Sequence, residues 1–348
     1  MRDRHPFLQL FAARLRELKR EPGVLFWIFG FPLLLAIGLG IAFRNEPRTE
    51  VAVGVLRSAG AEAVAAALPA ERGFRASVLT DAEAAHALRL GKVALVVVPA
   101  AESGGAPEFR FDPTRPESEL ARVRVHDALE RAAGRVDRIE PREAPVTEPG
   151  SRYIDFLIPG LLGMNIMSGG MWGIGYAIVD MRSKRLLKRL AATPMKRTHF
   201  LGAFLAARLV LVLAEMVLLL AFGWLAFDLV PQGSLVDVVA LCVLGACAFA
   251  GLGLLVATRT AKVEIVGGLI NLVMLPMFVV SGVFFSSERF PDVLQPFVRA
   301  LPLTALNDGL RAAILEGAPL SEQLPRVLVL LVWGAISFVL ALRLFRWS

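Results

Sequence analysis

Residues 180–200 read DMRSKRLLKRLAATPMKRTHF and carry seven cations: Arg182, Lys184, Arg185, Lys188, Arg189, Lys196 and Arg197. The cluster includes no metal-ligand set. Its chemistry is electrostatic, an attraction to anionic headgroups or a fit to the groove of a soluble partner. Leu186, Leu187, Leu190 and Ala191 recur among the cations at helical spacing until Pro194 stops the turn. Residues 181–194 therefore read as a short amphipathic helix, with Leu186, Leu187 and Leu190 on its apolar face and Arg185, Lys188 and Arg189 on its charged one.

A second kind of chemistry comes from polar residues inside apolar runs. A charge near the centre of a bilayer costs about 2.5–3.5 kcal/mol, so it faces protein or a cavity. Arg208 and Glu215 lie seven residues apart, on one helical face with roughly 10 Å of axial separation. Two roles fit Glu215: a position on a translocation path, or a polar contact within the bundle, including a stretched pairing with Arg208. Asn271 poses the same alternatives at lower cost. No glycine-rich phosphate loop, nucleophile elbow or metal-ligand cluster occurs. The histidines His5, His86, His126 and His199 are scattered, and Cys242 and Cys247 are spaced i, i+5, off a common helical face. Catalytic, metal and cofactor sites are therefore expected to be absent from this chain.

These residues need membrane helices to position them. Six apolar runs suffice to cross a bilayer, at 24–43, 153–179, 201–227, 235–258, 265–285 and 327–344. No small-x-small cleavage site follows the first, which reads as a span and not a signal peptide. Cations concentrate in the N-terminal segment (Arg2, Arg4, Arg14, Arg16, Lys19, Arg20), in 180–200, at Arg259 and Lys262, and at Arg343 and Arg346. With six alternating spans these fall on one side, so both termini are expected in the cytoplasm. The net charge of +7 is accounted for by this distribution, not by nucleic-acid binding. Phe7, Leu8, Phe11, Leu15 and Leu18 oppose Arg14, Arg16, Lys19 and Arg20, giving residues 1–23 the pattern of an interfacial helix that anchors to the surface or docks a partner. The interval 44–150 alternates strands (50–56, 75–79, 93–98, 109–111) with helices (61–68, 81–90, 117–133), the second capped by Asp81. Pro141, Pro145, Pro149 and Gly150 mark its return to the membrane. The expected fold is an all-α polytopic membrane protein of six transmembrane helices, with an inserted extracytoplasmic α/β domain at 44–150 and a five-helix portion at 151–348. Gly169 and Gly173, with Gly163 and Gly175 nearby, supply a small-xxx-small packing face, and Pro276 is expected to kink the fifth span.

The order of elements resembles the type-2 ABC export permeases, in the drug and small-molecule branch. The segment KRLLKRLAATPMKRTHFLGA (184–203) is similar to their cytoplasmic coupling segment, which ends in a Thr-Pro pair, here Thr193 and Pro194. The segment SGVFFSSERFPDVLQPFVRALPLTALNDGLRA (281–312) is similar to their motif after the fifth span, with Ser281-Gly282, Phe290-Pro291, Pro302-Leu303-Thr304 and Arg311 in order. Only Asp180 precedes the cations, where many members have a Glu-rich stretch.

The resemblance implies a permease subunit with no cofactor of its own. ATP and Mg would bind a separate cytoplasmic ABC ATPase, present in two copies beside a second permease subunit in a homodimer within the bacterial inner membrane. It also assigns ATPase coupling to Arg185, Leu186, Leu187, Lys188, Arg189, Leu190, Thr193 and Pro194. It assigns an external re-entrant gate at 286–316 to Phe284, Phe285, Phe290, Pro291, Pro302, Leu303 and Arg311. The lack of a G-x-x-x-x-G-K-[ST] run agrees with nucleotide binding elsewhere. The expected function is ATP-driven export of an amphiphilic small molecule, drug or lipid. The competing reading, a membrane-anchored sensor that binds ligand through the α/β domain, leaves the coupling helix unexplained.

Overall fold

The computed structural model describes residues 6–44, 50–70, 73–100, 105–136, 152–192, 197–258, 260 and 262–344. The sequence-predicted linker prolines, Arg259, Thr193 and Pro194 lie outside them. Two compact units form: 1–44 with 146–348, and 45–145.

The chain starts with α1 (Pro6–Arg20). Then α2 (Pro22–Leu25), a π-helical turn at Phe26–Gly30 and α3 (Phe31–Arg44) run on as one apolar rod. In the smaller unit follow β1 (Val51–Leu56), α4 (Ala61–Ala66), β2 (Phe74–Leu79), α5 (Asp81–Arg89), β3 (Leu95–Val98), β4 (Glu108–Arg110) and α6 (Pro116–Ala132). The sheet order is β2-β1-β3-β4; β1 is parallel to both neighbours and β4 antiparallel to β3. Strand alternation sends Val51, Val53, Leu95 and Val97 to one face, under Val64 of α4 and Ala121, Val125 and Ala128 of α6. Val93 and Val96 face the other way, onto Ala84, Ala87 and Leu88 of α5. The result is three layers with helices on both sides of the sheet. The cap of α5 is Thr80, not Asp81. Its hydroxyl and the Glu83 side chain form a reciprocal capping box, and these bonds hold the Glu83 carboxyl below its usual range. Asp81 is merely the first helical residue.

The larger unit continues with α7 (Tyr153–Gly170), a π-helical segment Met171–Tyr176, α8 (Ala177–Ser183), α9 (Leu186–Ala191), α10 (Arg197–Phe227), α11 (Leu235–Thr258), α12 (Val263–Val280), α13 (Gln295–Arg299), α14 (Pro302–Leu315) and α15 (Leu324–Leu344). Among the described residues six helices are long and apolar enough to cross a membrane: Pro22–Ala42, Tyr153–Ser183, Thr198–Phe227, Leu235–Thr258, Val263–Val280 and Leu320–Leu344. Burial ranks them. In an 18-residue stretch of each, 83% of the residues are buried in Tyr153–Ser183 and 67% in Leu235–Thr258, against 17–33% in the other four. Those two helices are thus the axis on which the rest pack. Pro276 lies inside α12, which continues past it to Val280.

The axis is held by backbone-to-backbone approach. A Cβ on Gly170 would lie 2.6 Å from both Cβ and C of Phe249, and one on Gly175 would lie 2.7 Å from the Gly253 carbonyl oxygen. The expected Gly169–Gly173 pair does not form this face, for nothing lies within 4 Å of a Cβ at Gly173. The π-helical segment is the reason. Its wider turn brings residues five apart onto one side, so Gly170 and Gly175 replace the i, i+4 pair of a regular helix. We expect Gly170→Val to lower stability by about 1–3 kcal/mol through overpacking, while Gly173→Ala stays within about 0.5 kcal/mol of the parent. Thermal unfolding in detergent measures both, and equal effects would contradict the packing described.

Candidate functional site

The basic segment folds as a hairpin at the end of the central rod. Asp180 accepts from Lys184 Nζ at 2.7 Å and raises the lysine above its ordinary value. The chain then reverses through Arg185, whose backbone is left-handed (φ 58°) despite its side chain. α9 follows. Leu187 is only 1% exposed and joins the bundle core, and Leu190 packs partly against it. Leu186 is 36% exposed, beside exposed Arg185, Lys188 and Arg189. Among the described residues none of these three cations has an ion pair within 4 Å. The expected single face of three leucines is therefore divided: Leu187 anchors α9 to its own chain, and Leu186 is the apolar residue left open among cations. Arg182, counted with the cluster, turns the other way. Its Nη1 donates to the Ala257 and Thr260 carbonyls at 2.8 and 2.9 Å, capping α11, where a cation complements the carbonyl end of the helix.

Arg208 and Glu215 meet inside the bundle. The guanidinium donates to both carboxylate oxygens, at 2.8 and 3.3 Å, with the side chains 5% and 1% exposed. Arg208 Nη2 also donates to the Asn165 carbonyl of α7 at 2.9 Å, and Asn165 Nδ2 to the Ile28 carbonyl at 3.3 Å. One polar thread thus joins the first rod, α7 and α10. Gly169 leaves the space that the guanidinium fills. Asn165 was not singled out from sequence, although a lone amide within an apolar run is a readable signal. Asn271 joins no such thread; it is exposed on α12, away from Arg208 and Glu215.

After α12 the chain turns at Gly282 (φ 72°) and re-approaches the bundle as a hairpin. Asn307 Nδ2 donates to the Ser281 carbonyl at 2.8 Å. Arg311 donates to the Gly282 carbonyl and to the Phe156 carbonyl at 3.3 Å, with its guanidinium 3.6 Å from the Phe156 ring centroid. Gly160 of α7 allows this approach, since a Cβ there would lie 2.5 Å from the Val283 carbonyl. The gate residues separate accordingly. Pro302, Leu303 and Arg311 are buried anchors, whereas Phe285 and Phe290 pair near the surface at 6.0 Å, with Phe284 half-buried and Pro291 exposed. Trp333 Nε1 donates to the Ala300 carbonyl at 2.8 Å, so the hairpin runs beside α15 roughly 13 Å below its first turn.

The thread yields a sharp test. Glu215→Ala leaves Arg208 buried and uncompensated and should cost about 3–5 kcal/mol, whereas the paired change Arg208→Met with Glu215→Leu should recover most of it. Thermal unfolding in detergent reads the difference. Equal losses in single and double variants would mean that the pair contributes nothing through its charges.

A family model described as ABC-2 family transporter protein matches residues 122–343. The chain is also 26% identical over 189 residues to ABC transporter G family member 20 of Dictyostelium discoideum, covering 53% of this chain and 26% of that protein. It is 26% identical over 179 residues to the linearmycin resistance permease protein LnrN of Bacillus subtilis, covering 51% of this chain and 46% of that one. The matched part is thus about a quarter of the first relative's length and about half of the second's. With its six membrane-length helices, this multi-pass membrane protein belongs to the ABC-2 family of transporter proteins.

Proposed function

We propose that this chain is the permease subunit of an ATP-driven exporter that moves an amphiphilic small molecule, drug or lipid across a bacterial inner membrane. Two copies pair, and each docks a cytoplasmic ABC ATPase through α9. The observation that carries the docking role is the division of α9, in which Leu187 fixes the helix to its own bundle while Leu186, Arg185, Lys188 and Arg189 stay open. A helix that only rested on lipid would turn all its leucines the same way. The linearmycin resistance role of the Bacillus relative favours an amphiphilic cargo. Glu215 is read as a polar contact of the bundle and not a path residue, because Arg208 engages both its oxygens. Asn271, exposed on the loosely packed α12, remains the path candidate.

Burial separates two kinds of α9 variant. Truncating a buried interface anchor commonly costs over about 2 kcal/mol, so Leu186→Ala with Arg189→Ala should weaken ATPase binding by about thirtyfold with unfolding unchanged. Leu187→Ala should instead cost about 2–5 kcal/mol of stability. Titration of the purified ATPase against each variant, beside its melting curve, tests the assignment. Unchanged binding in the double variant would leave α9 as a lipid-surface helix.

Loop charge predicts orientation. With Cys242 and Cys247 replaced by alanine, cysteines at Leu90 and Val293 should react with an impermeant thiol reagent in intact cells, and one at Ser183 should not. Labelling at Ser183 would reverse the topology.

A further inference from the structure

A cavity of about 620 Å³ opens between the hairpin and the start of α15, away from both the ion pair and α9. Charges of both signs line it: Arg299 and Arg326, with Glu288, Asp308 and Glu322. Asp308 pairs with Arg311 at 3.5 Å, and Arg299, Arg326 and Glu288 line the same cavity around it. Yet among the described residues neither Arg299 nor Arg326 has an ion pair within 4 Å. Two further lining residues, Thr304 and Gln323, are 1% and 2% exposed, and each has a buried oxygen with no hydrogen-bond partner.

The surroundings describe what the cavity can hold. On α13 and α15, two of the elements that bound it, Phe297 and then Leu324 and Leu328 are 72%, 59% and 56% exposed, in the part of the chain built from membrane-length helices. A ligand seated here meets cations and carboxylates at one end and apolar surface at the other. Guanidinium groups suit a phosphate, and carboxylates an ammonium. We propose that this cavity binds the headgroup of a zwitterionic phospholipid of the phosphatidylethanolamine type, phosphate toward Arg299 and Arg326 and amine toward Glu288, Asp308 and Glu322, with its acyl chains along α15. Asp308 already meets Arg311 at 3.5 Å, so an anionic headgroup without an amine would leave Glu288 and Glu322 unmatched. The site is independent of the export reading, since it concerns a membrane lipid held against the hairpin, whatever the cargo.

The test uses the full chain, delipidated in mild detergent and titrated with three probes: palmitoyl-oleoyl phosphatidylethanolamine, the matching phosphatidylglycerol, and soluble glycerophosphoethanolamine. Bound lipid is counted by native mass spectrometry. Phosphatidylethanolamine should bind at least tenfold more tightly than either alternative. Arg299→Gln with Arg326→Gln should reduce that affinity at least tenfold. Both cations lack ion pairs, so the melting temperature in lipid-free detergent should not move, and Glu322→Gln provides a second variant that weakens binding if the double variant misfolds. Equal binding of phosphatidylglycerol would overturn the zwitterion assignment. Equal binding of the soluble headgroup would make this a water-facing phosphate site. Undiminished phosphatidylethanolamine binding in the variants would place the lipid elsewhere.

Discussion

Everything in the larger unit depends on one close approach, the contact of the α7 rod with α11 through Gly170, Gly175 and Gly253. In a membrane, helices gain little from burying apolar surface against one another, because lipid is equally apolar. Close backbone contact supplies dispersion instead, and only residues without a Cβ permit it. The π-helical turn at Met171–Tyr176 sets the rotation of everything that follows along the same rod. That includes α8, from which Arg182 reaches back to cap α11, and the reversal at Arg185 that presents α9. A change in the central glycines is therefore felt at α9, far along the rod.

Polar contacts then fix what dispersion leaves free. The thread from Ile28 through Asn165 and Arg208 to Glu215 fixes the first rod and α10 against α7. At the other end, Arg311 and Asn307 fix the hairpin to the turn at Ser281-Gly282 and to α7. Both devices aim charged or amide groups at main-chain carbonyls in apolar surroundings, where an unmet partner is costly. The hairpin is thus held at its base by Arg311, while its tip with Phe285, Phe290 and Pro291 stays near the surface.

Much of this was legible in the sequence, and what was not has physical causes. Membrane helices are announced by apolar length, and the run 235–258 coincides with α11. In the smaller unit the alternation at 50–56, the continuous apolar run at 93–98 and the short strands read at 75–79 and 109–111 fall within two residues of the four strands among the described residues, but Thr80 and not Asp81 caps α5, because either residue type can cap and only the chain path decides. The glycine face was misread because sequence periodicity assumes 3.6 residues per turn, and a π-helical turn breaks that count without leaving a motif. The expected apolar face of α9 failed likewise: Leu186 and Leu187 are adjacent, and the left-handed backbone at Arg185 determines which one turns inward. The carbonyl partners of Arg182 and Asn307 could not be read from sequence, because carbonyls are the same in every residue.

Family membership makes this chain a membrane component of transport, and the proposed energy source is a separate ATPase. The most direct test is MgATP hydrolysis by the full chain purified from its native membranes, before and after every co-purifying polypeptide is stripped away. Hydrolysis is expected only while an ATP-binding partner is present, with its loss on stripping and its recovery when that partner is added back. Sustained hydrolysis by the stripped chain alone would contradict it.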